Sequence, residues 1–182
     1  MNDWNASDAD LMVKKPGLLG RIALTPAKTV TRKALKDAGA TRITGADEPR
    51  LENIVTGLAE RLGLGSVDLY LIEVRGANAL AGRTERPVVA VSRSLLDTYA
   101  RTELEAVAAH CLIRHREAGK KGVMVGYSDD VRAVALTRYP PALAHAIEKA
   151  EPYEGRFGPL YLVATGPHHR PVAERIKALY DL

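Results

Sequence analysis

Apolar residues recur along the chain with two different periods, and the switch between them lays out the elements. In "EPRLENIVTGLAERLGLG", Leu51, Ile54, Val55, Leu58 and Leu62 follow one another at helical spacing after Asp47. This predicts an amphipathic helix that Gly63 and Gly65 end. "VDLYLIEV" (67–74) and "RPVVAVSR" (86–93) have the branched and aromatic content of strands. The "RGANALAGRTE" between them has the glycines and polar residues of a connection, so the strands form a hairpin or lie as neighbours joined by a longer edge segment.

Helical periods then take over. Ser94 opens a short helix through Tyr99, and Thr102 with Glu105 fits a capping box for a longer helix over about 103–118, stopped by Gly119. "SDDVRAVALTRY" and "PPALAHAIEKA" predict two helices separated by Pro140 and Pro141. "FGPLYLVAT" reads as a short strand or buried extended segment, and "RPVAERIKALYDL" as a closing helix from Pro171. At the other end, Pro16, Gly17, Gly20 and Pro26 interrupt any period, so residues 1–27 read as an irregular lead-in. A short basic helix follows at about 28–38, stopped by Gly39. The expected organisation is an N-terminal arm over 1–46 and one α+β domain over 47–182, a small sheet packed against a mainly helical body.

Composition narrows this picture. A chain of 182 residues, 46% apolar, fills one core, and with only 5% aromatic residues the aliphatics and alanine do the packing. The net charge of +4 and pI near 9.2 draw attention to basic clusters in "KTVTRKALK" and "RHREAGKK". No nucleic-acid motif accompanies them and stacking aromatics are scarce, which favours a solvated surface over a nucleic-acid partner. No apolar run approaches the roughly 20 residues of a membrane span, and no signal peptide is recognisable at the N-terminus. Cys111, the single cysteine, excludes an intrachain disulfide and suits a reducing compartment, so a soluble cytoplasmic protein is expected.

Candidate chemistry concentrates in "AVAAHCLIRHREAG". On a helix His110 and Arg114 lie about 40° apart and share a face, whereas His110 and His115 differ by about 140° and do not readily chelate one ion. Leu104, Val107, Ala108, Cys111 and Leu112 make an apolar stripe with His110 and Arg114 at its edge. Cys111 reads as a small buried hydrophobe. His115, near the helix C-terminus, reads as an imidazole whose protonated form the helix dipole favours.

From here a resemblance becomes visible. "LGLGSVDLYLIEVRGANALAGR", "PVVAVSRSLLDTYARTELEAVAAH", "ALTRYPPALAHAIEKA" and "HHRPVAERIKAL" occur in the order expected of the soluble catalytic domain of HtpX-like and CAAX-prenyl-protease zinc metallopeptidases. The resemblance covers roughly residues 47–181 and implies a zincin-like fold. It also implies an HExxH helix with two zinc-binding histidines and a glutamate that activates water, an ExxxD helix carrying the third ligand, and an HPP-type segment before the last helix.

The chain departs from that pattern where the chemistry lies. In "HCLIR", His110 remains, Cys111 stands at the glutamate and Arg114 at the second histidine; Gly126 stands at the ligand glutamate and Asp130 at the aspartate. A guanidinium offers donors only and stays cationic, so Arg114 suits a charge pair with Asp130, with His110 alongside, rather than a zinc ligand. The expected function is an inactive metallopeptidase-like domain with a structural or protein-interaction role, no metal and no cofactor. The alternative is an active hydrolase, either a zinc peptidase with non-standard ligands or an enzyme using Cys111 as nucleophile. No spacing specifically supports a relocated metal site through Cys111, His115 or the pair His168 and His169, which read as surface or turn histidines beside Pro167. The resemblance also implies a sheet edge at Asn78, Ala79 and Leu80 to which an extended protein or peptide partner adds, against the plainer reading that Asn78 and Ala79 preserve only a loop's geometry. Homodimerisation through the same surface, or through the N-terminal arm, is the other use considered for it.

Overall fold

The computed structural model describes residues 18–116 and 124–182. Among these it is an α+β fold with seven helices and a four-stranded mixed sheet. Helix α1 (Leu18–Asp37) leads into β1 (Thr41–Ile43), α2 (Pro49–Arg61), β2 (Asp68–Ile72), β3 (Ala79–Arg83) and β4 (Pro87–Ser92). Five further helices follow: α3 (Arg93–Thr98), α4 (Arg101–Arg114), α5 (Tyr127–Thr137), α6 (Pro140–Lys149) and α7 (Val172–Tyr180). A single 3₁₀ turn, Gly158–Leu160, lies between the last two.

Helix α2 is the element that the apolar spacing describes most directly. Leu51, Ile54, Val55 and Leu58 are buried on one face. Its end is a Schellman motif: Gly63 takes φ +62°, its N–H donates to Glu60, and the Leu64 N–H donates to Ala59.

The sheet takes the second of the two expected arrangements, neighbouring strands joined by a longer edge segment, and excludes the hairpin. Strands β2 and β4 do pair, but in parallel, and the connection between them is itself strand β3, antiparallel to β4. The order is β1-β2-β4-β3. Its small residues hide β3 in the sequence, and the same residues explain its packing. A Cβ at Gly82 would meet Thr31 Cγ2 of α1 at 2.5 Å, so glycine there lets α1 lie directly on the strand.

Both faces of the sheet are covered. On β4, Val89 and Val91 point into the larger core with α2, α4 and α6, while Val88 and Ala90 point into a second core with Ala34 and Leu35 of α1 and Ala38 just after it. The expected arm over 1–46 is therefore, in its described part, a layer of the fold, and β1 extends the sheet. The helix begins at Leu18, well before the expected 28, so Gly20 and Pro26 lie inside it.

Helix α4 is more central than an amphipathic stripe implies. It packs against α2, α5, α6 and the sheet, and residues Leu104 and Ala106 to Arg114 are all buried. It also starts earlier than expected. The Glu103 carboxylate, rather than a Thr102–Glu105 box, reaches back to the Ala100 N–H at 2.7 Å. The same carboxylate takes two bonds from Lys149 at the end of α6, fastening the two helices together. The helix ends at Arg114 with His115 as its cap, short of the predicted 118, and residues 117–118 lie outside the described residues.

Candidate functional site

The positions singled out on α4 meet the start of α5 and the segment that leads into α7. His110, Arg114 and Arg175 are each 1% exposed and Asp130 is 2% exposed, so their charges and dipoles are withdrawn from bulk solvent. Asp129 and Asp130 are neighbours on the first turn of α5, about 100° apart around its axis. That offset sends them to different cations.

Arg114 Nη1 donates to Asp129 Oδ2 at 2.8 Å, and Nη2 donates to the Pro159 carbonyl at 2.6 Å. Asp130 is instead held by Arg175 of α7 in a bidentate pair, Nε and Nη2 each at 2.8 Å. The expected Arg114–Asp130 pair is thus corrected to two pairs, Arg114–Asp129 and Arg175–Asp130. Two-point contact with a planar guanidinium is the strongest geometry a carboxylate finds, so Asp130 is taken by Arg175. His110 Nδ1 also stands 3.1 Å from Asp130 Oδ1, off the axis of a good hydrogen bond.

These contacts fix the protonation states. Burial alone would raise the Asp130 carboxyl, but Arg175 and His110 overcome it and hold the group well below the usual carboxylate range. Burial lowers the proton affinity of His110, with Asp130 opposing and the two guanidiniums adding to the depression. Burial pushes the Cys111 thiol up to about 12, although Arg114 pulls the other way, so the sulfur is a neutral thiol at physiological pH.

The site has a member that local reading of the sequence missed. His169 is buried against the same cluster, while its neighbour His168 is exposed. Its Nε2 donates to the Gly158 carbonyl at 2.8 Å, and burial lowers its pKa to about 4, with Arg175, Arg114 and His110 contributing. Arg175 Nη1 donates to the Leu162 carbonyl at 2.7 Å. Three side chains of the cluster therefore grip three carbonyls of one segment, 158–162. The usable signal was the block "HHRPVAERIKAL", which carries both His169 and Arg175, whereas Pro167 and the doubled histidine on their own suggest only a turn.

The gripped segment runs along strand β3. The Leu162 N–H donates to the Ala79 carbonyl at 2.8 Å and Leu80 forms a bridge with Tyr161. Asn78 binds the carbonyls of Glu151 and Val163 through its side-chain amide. The edge at Asn78, Ala79 and Leu80 that was expected to be open is accordingly buried and covered by the chain's own residues. Backbone groups along it are already paired, which leaves no free ladder there for an incoming strand.

The remaining positions are also accounted for. Gly126 caps α5 with φ +145° and ψ −134°, a conformation open essentially to glycine alone. The His115 Nδ1 lies against the Leu112 carbonyl, and burial lowers the pKa of the ring, so the proposed dipole-stabilised imidazolium is not what the fold favours.

Known proteins resemble this chain over part of its length. No family model matches it. Two partial relatives are each named Protease HtpX homolog. The one from Thermodesulfovibrio yellowstonii is 39% identical over 83 residues, covering 43% of this chain and 29% of that protein. The one from Dictyoglomus turgidum is 37% identical over 78 residues, covering 42% of this chain and 26% of that protein. These matches support a relation to HtpX-like proteins. The chain spans less than a third of the length of either relative. Among its described residues, no helix is long and apolar enough to cross a membrane.

Proposed function

We propose that this chain is a metallopeptidase-like domain that does not hydrolyse peptides through zinc and instead serves a structural or protein-interaction role. The observation that carries the reading is the buried Arg114–Asp129 pair, a fixed cation standing where the HtpX-like pattern has its second zinc-binding histidine. The chemistry of the donors fits zinc poorly. Two guanidiniums lie in the cluster, the Asp130 carboxylate is occupied by Arg175, and among the described residues no three His, Cys, Asp or Glu side chains are grouped to hold a metal ion. Gly126, at the position of the ligand glutamate, has no side chain to offer. The thiol of Cys111 is buried and protonated, which supports a packing role over a nucleophilic one.

The interaction role extends to a protein or peptide partner in the cytoplasm, where a lone reduced thiol is at home. Metal analysis of protein purified without chelators, combined with a cleavage assay on unfolded protein substrates with and without added zinc, tests the proposal. The expected result is zinc far below one equivalent and no chelator-sensitive cleavage. Stoichiometric zinc together with chelator-sensitive cleavage overturns it.

A further inference from the structure

We propose that His110 Nε2, His169 Nδ1 and Arg114 Nε together bind one buried water molecule, which donates a hydrogen bond to each imidazole and accepts one from the guanidinium. The inference rests on the reading that His110 holds no metal. Its starting point is that all three nitrogens are buried and have no hydrogen-bond partner among the described residues. Buried polar groups are nearly always paired, and leaving several unpaired in one place is costly.

Their neighbours determine which of these atoms are donors. A carbonyl only accepts, so the bond from His169 Nε2 to Gly158 puts the proton on Nε2 and leaves Nδ1 as a bare acceptor. His110 Nδ1 faces the Asp130 carboxylate at 3.1 Å, and two lone pairs would repel at that distance. The proton therefore sits on Nδ1, and Nε2 is the second bare acceptor. Arg114 Nε is always a donor. Two acceptors and one donor match the two hydrogens and the lone pair of a water molecule, which in protein interiors makes typically about three such bonds. An anion would meet two lone pairs, and a cation would meet the guanidinium.

The residues that carry the three atoms also belong to one cluster. His169 and Arg114 grip the adjacent carbonyls of Gly158 and Pro159, and His110 lies one turn before Arg114 on α4. The Arg114 guanidinium is close enough to act on the His169 ring. The water would complete the grip on the 158–162 segment by joining all three side chains.

The test uses the full chain labelled with ¹⁵N-histidine at neutral pH. Long-range proton–nitrogen correlations read the tautomers, and water–protein Overhauser effects locate a long-lived water. The expected result is His110 protonated on Nδ1, His169 protonated on Nε2, and water cross-peaks at the Hε1 protons of both rings. In His169→Phe the cross-peak at His110 should be lost; in His169→Gln, whose amide both donates and accepts, it should persist. Absence of the cross-peaks in the wild-type chain, a His110 proton on Nε2, or a cross-peak that survives His169→Phe overturns the water site. If His169→Phe fails to fold, the wild-type tautomers and cross-peaks decide the matter alone. A His110 Nε2 signal that shifts on chelation would reveal a bound metal and overturn the proposed function as well. Missing water without that shift overturns only the water.

Discussion

Arg114 is the residue on which the candidate site turns, because it is fully buried and its charge has one carboxylate partner among the described residues. Removing one member of a buried ion pair strands the other, at a cost of about 3–5 kcal/mol. Arg114→Ala and Asp129→Ala should each destabilise the fold on this scale, and the double variant should cost less than their sum. Chemical denaturation of the four proteins measures the coupling. Additive effects would mean that the pair contributes nothing beyond its separate contacts. The presence of a buried charge at 114 was legible in the sequence, but its partner was not. Asp129 and Asp130 are adjacent, and only the way α5 rolls against α4 decides which carboxylate faces which guanidinium. His169 was illegible by local rules for a similar reason: a histidine beside a proline looks like surface until its carbonyl partner is known.

At the scale of elements, apolar spacing located α2, while branched residues located β2 and β4 and caps and prolines located the helices after them. Strand β3 escaped because Ala79, Ala81 and Gly82 pack by being small, and small residues carry little periodic signal. The start of α5 offers a sharp test of element geometry. Gly126 holds φ +145°, and a Cβ there would meet the Arg170 side chain at 3.2 Å. Gly126→Glu, which restores the family-like residue, should therefore destabilise the fold by about 1–3 kcal/mol through backbone strain. Thermal denaturation reads the loss, and a neutral or stabilising effect would show that the cap relaxes freely.

The whole molecule should answer to acid in two stages, and the signs follow from the buried groups. His169 has a folded pKa of about 4 against an ordinary 6.5, so the unfolded chain takes up the proton first as pH falls. Its contribution is complete above about pH 6.5, declines between 6.5 and 4 and is then spent, on the order of 2 kcal/mol after allowance for screening. His110, lowered by burial, adds to the loss below pH 6.5. Asp130 behaves oppositely in origin but similarly in outcome: its depressed carboxyl stabilises the fold above the ordinary 3.8 and loses that contribution as pH falls below it. Urea midpoints measured across this range should fall in both windows, and His169→Gln should flatten the upper one. A wild-type profile level from pH 7 to 4 would contradict the burial of both rings.

The strand order has a further consequence, for the chain as it is made. Translation delivers β2, then β3, then β4, yet β4 belongs between the first two, so the β3–β4 hairpin must form and dock as a unit. Even then β3 lacks its cover, because residues 158–163 are synthesised some eighty positions later. Throughout that interval the nascent chain presents an unpaired strand edge to every other chain in reach. The cluster around Arg114 closes that interval: once α7 emerges, Arg175 and His169 join Arg114 in pinning the late segment down, and the edge stops being a template for aggregation.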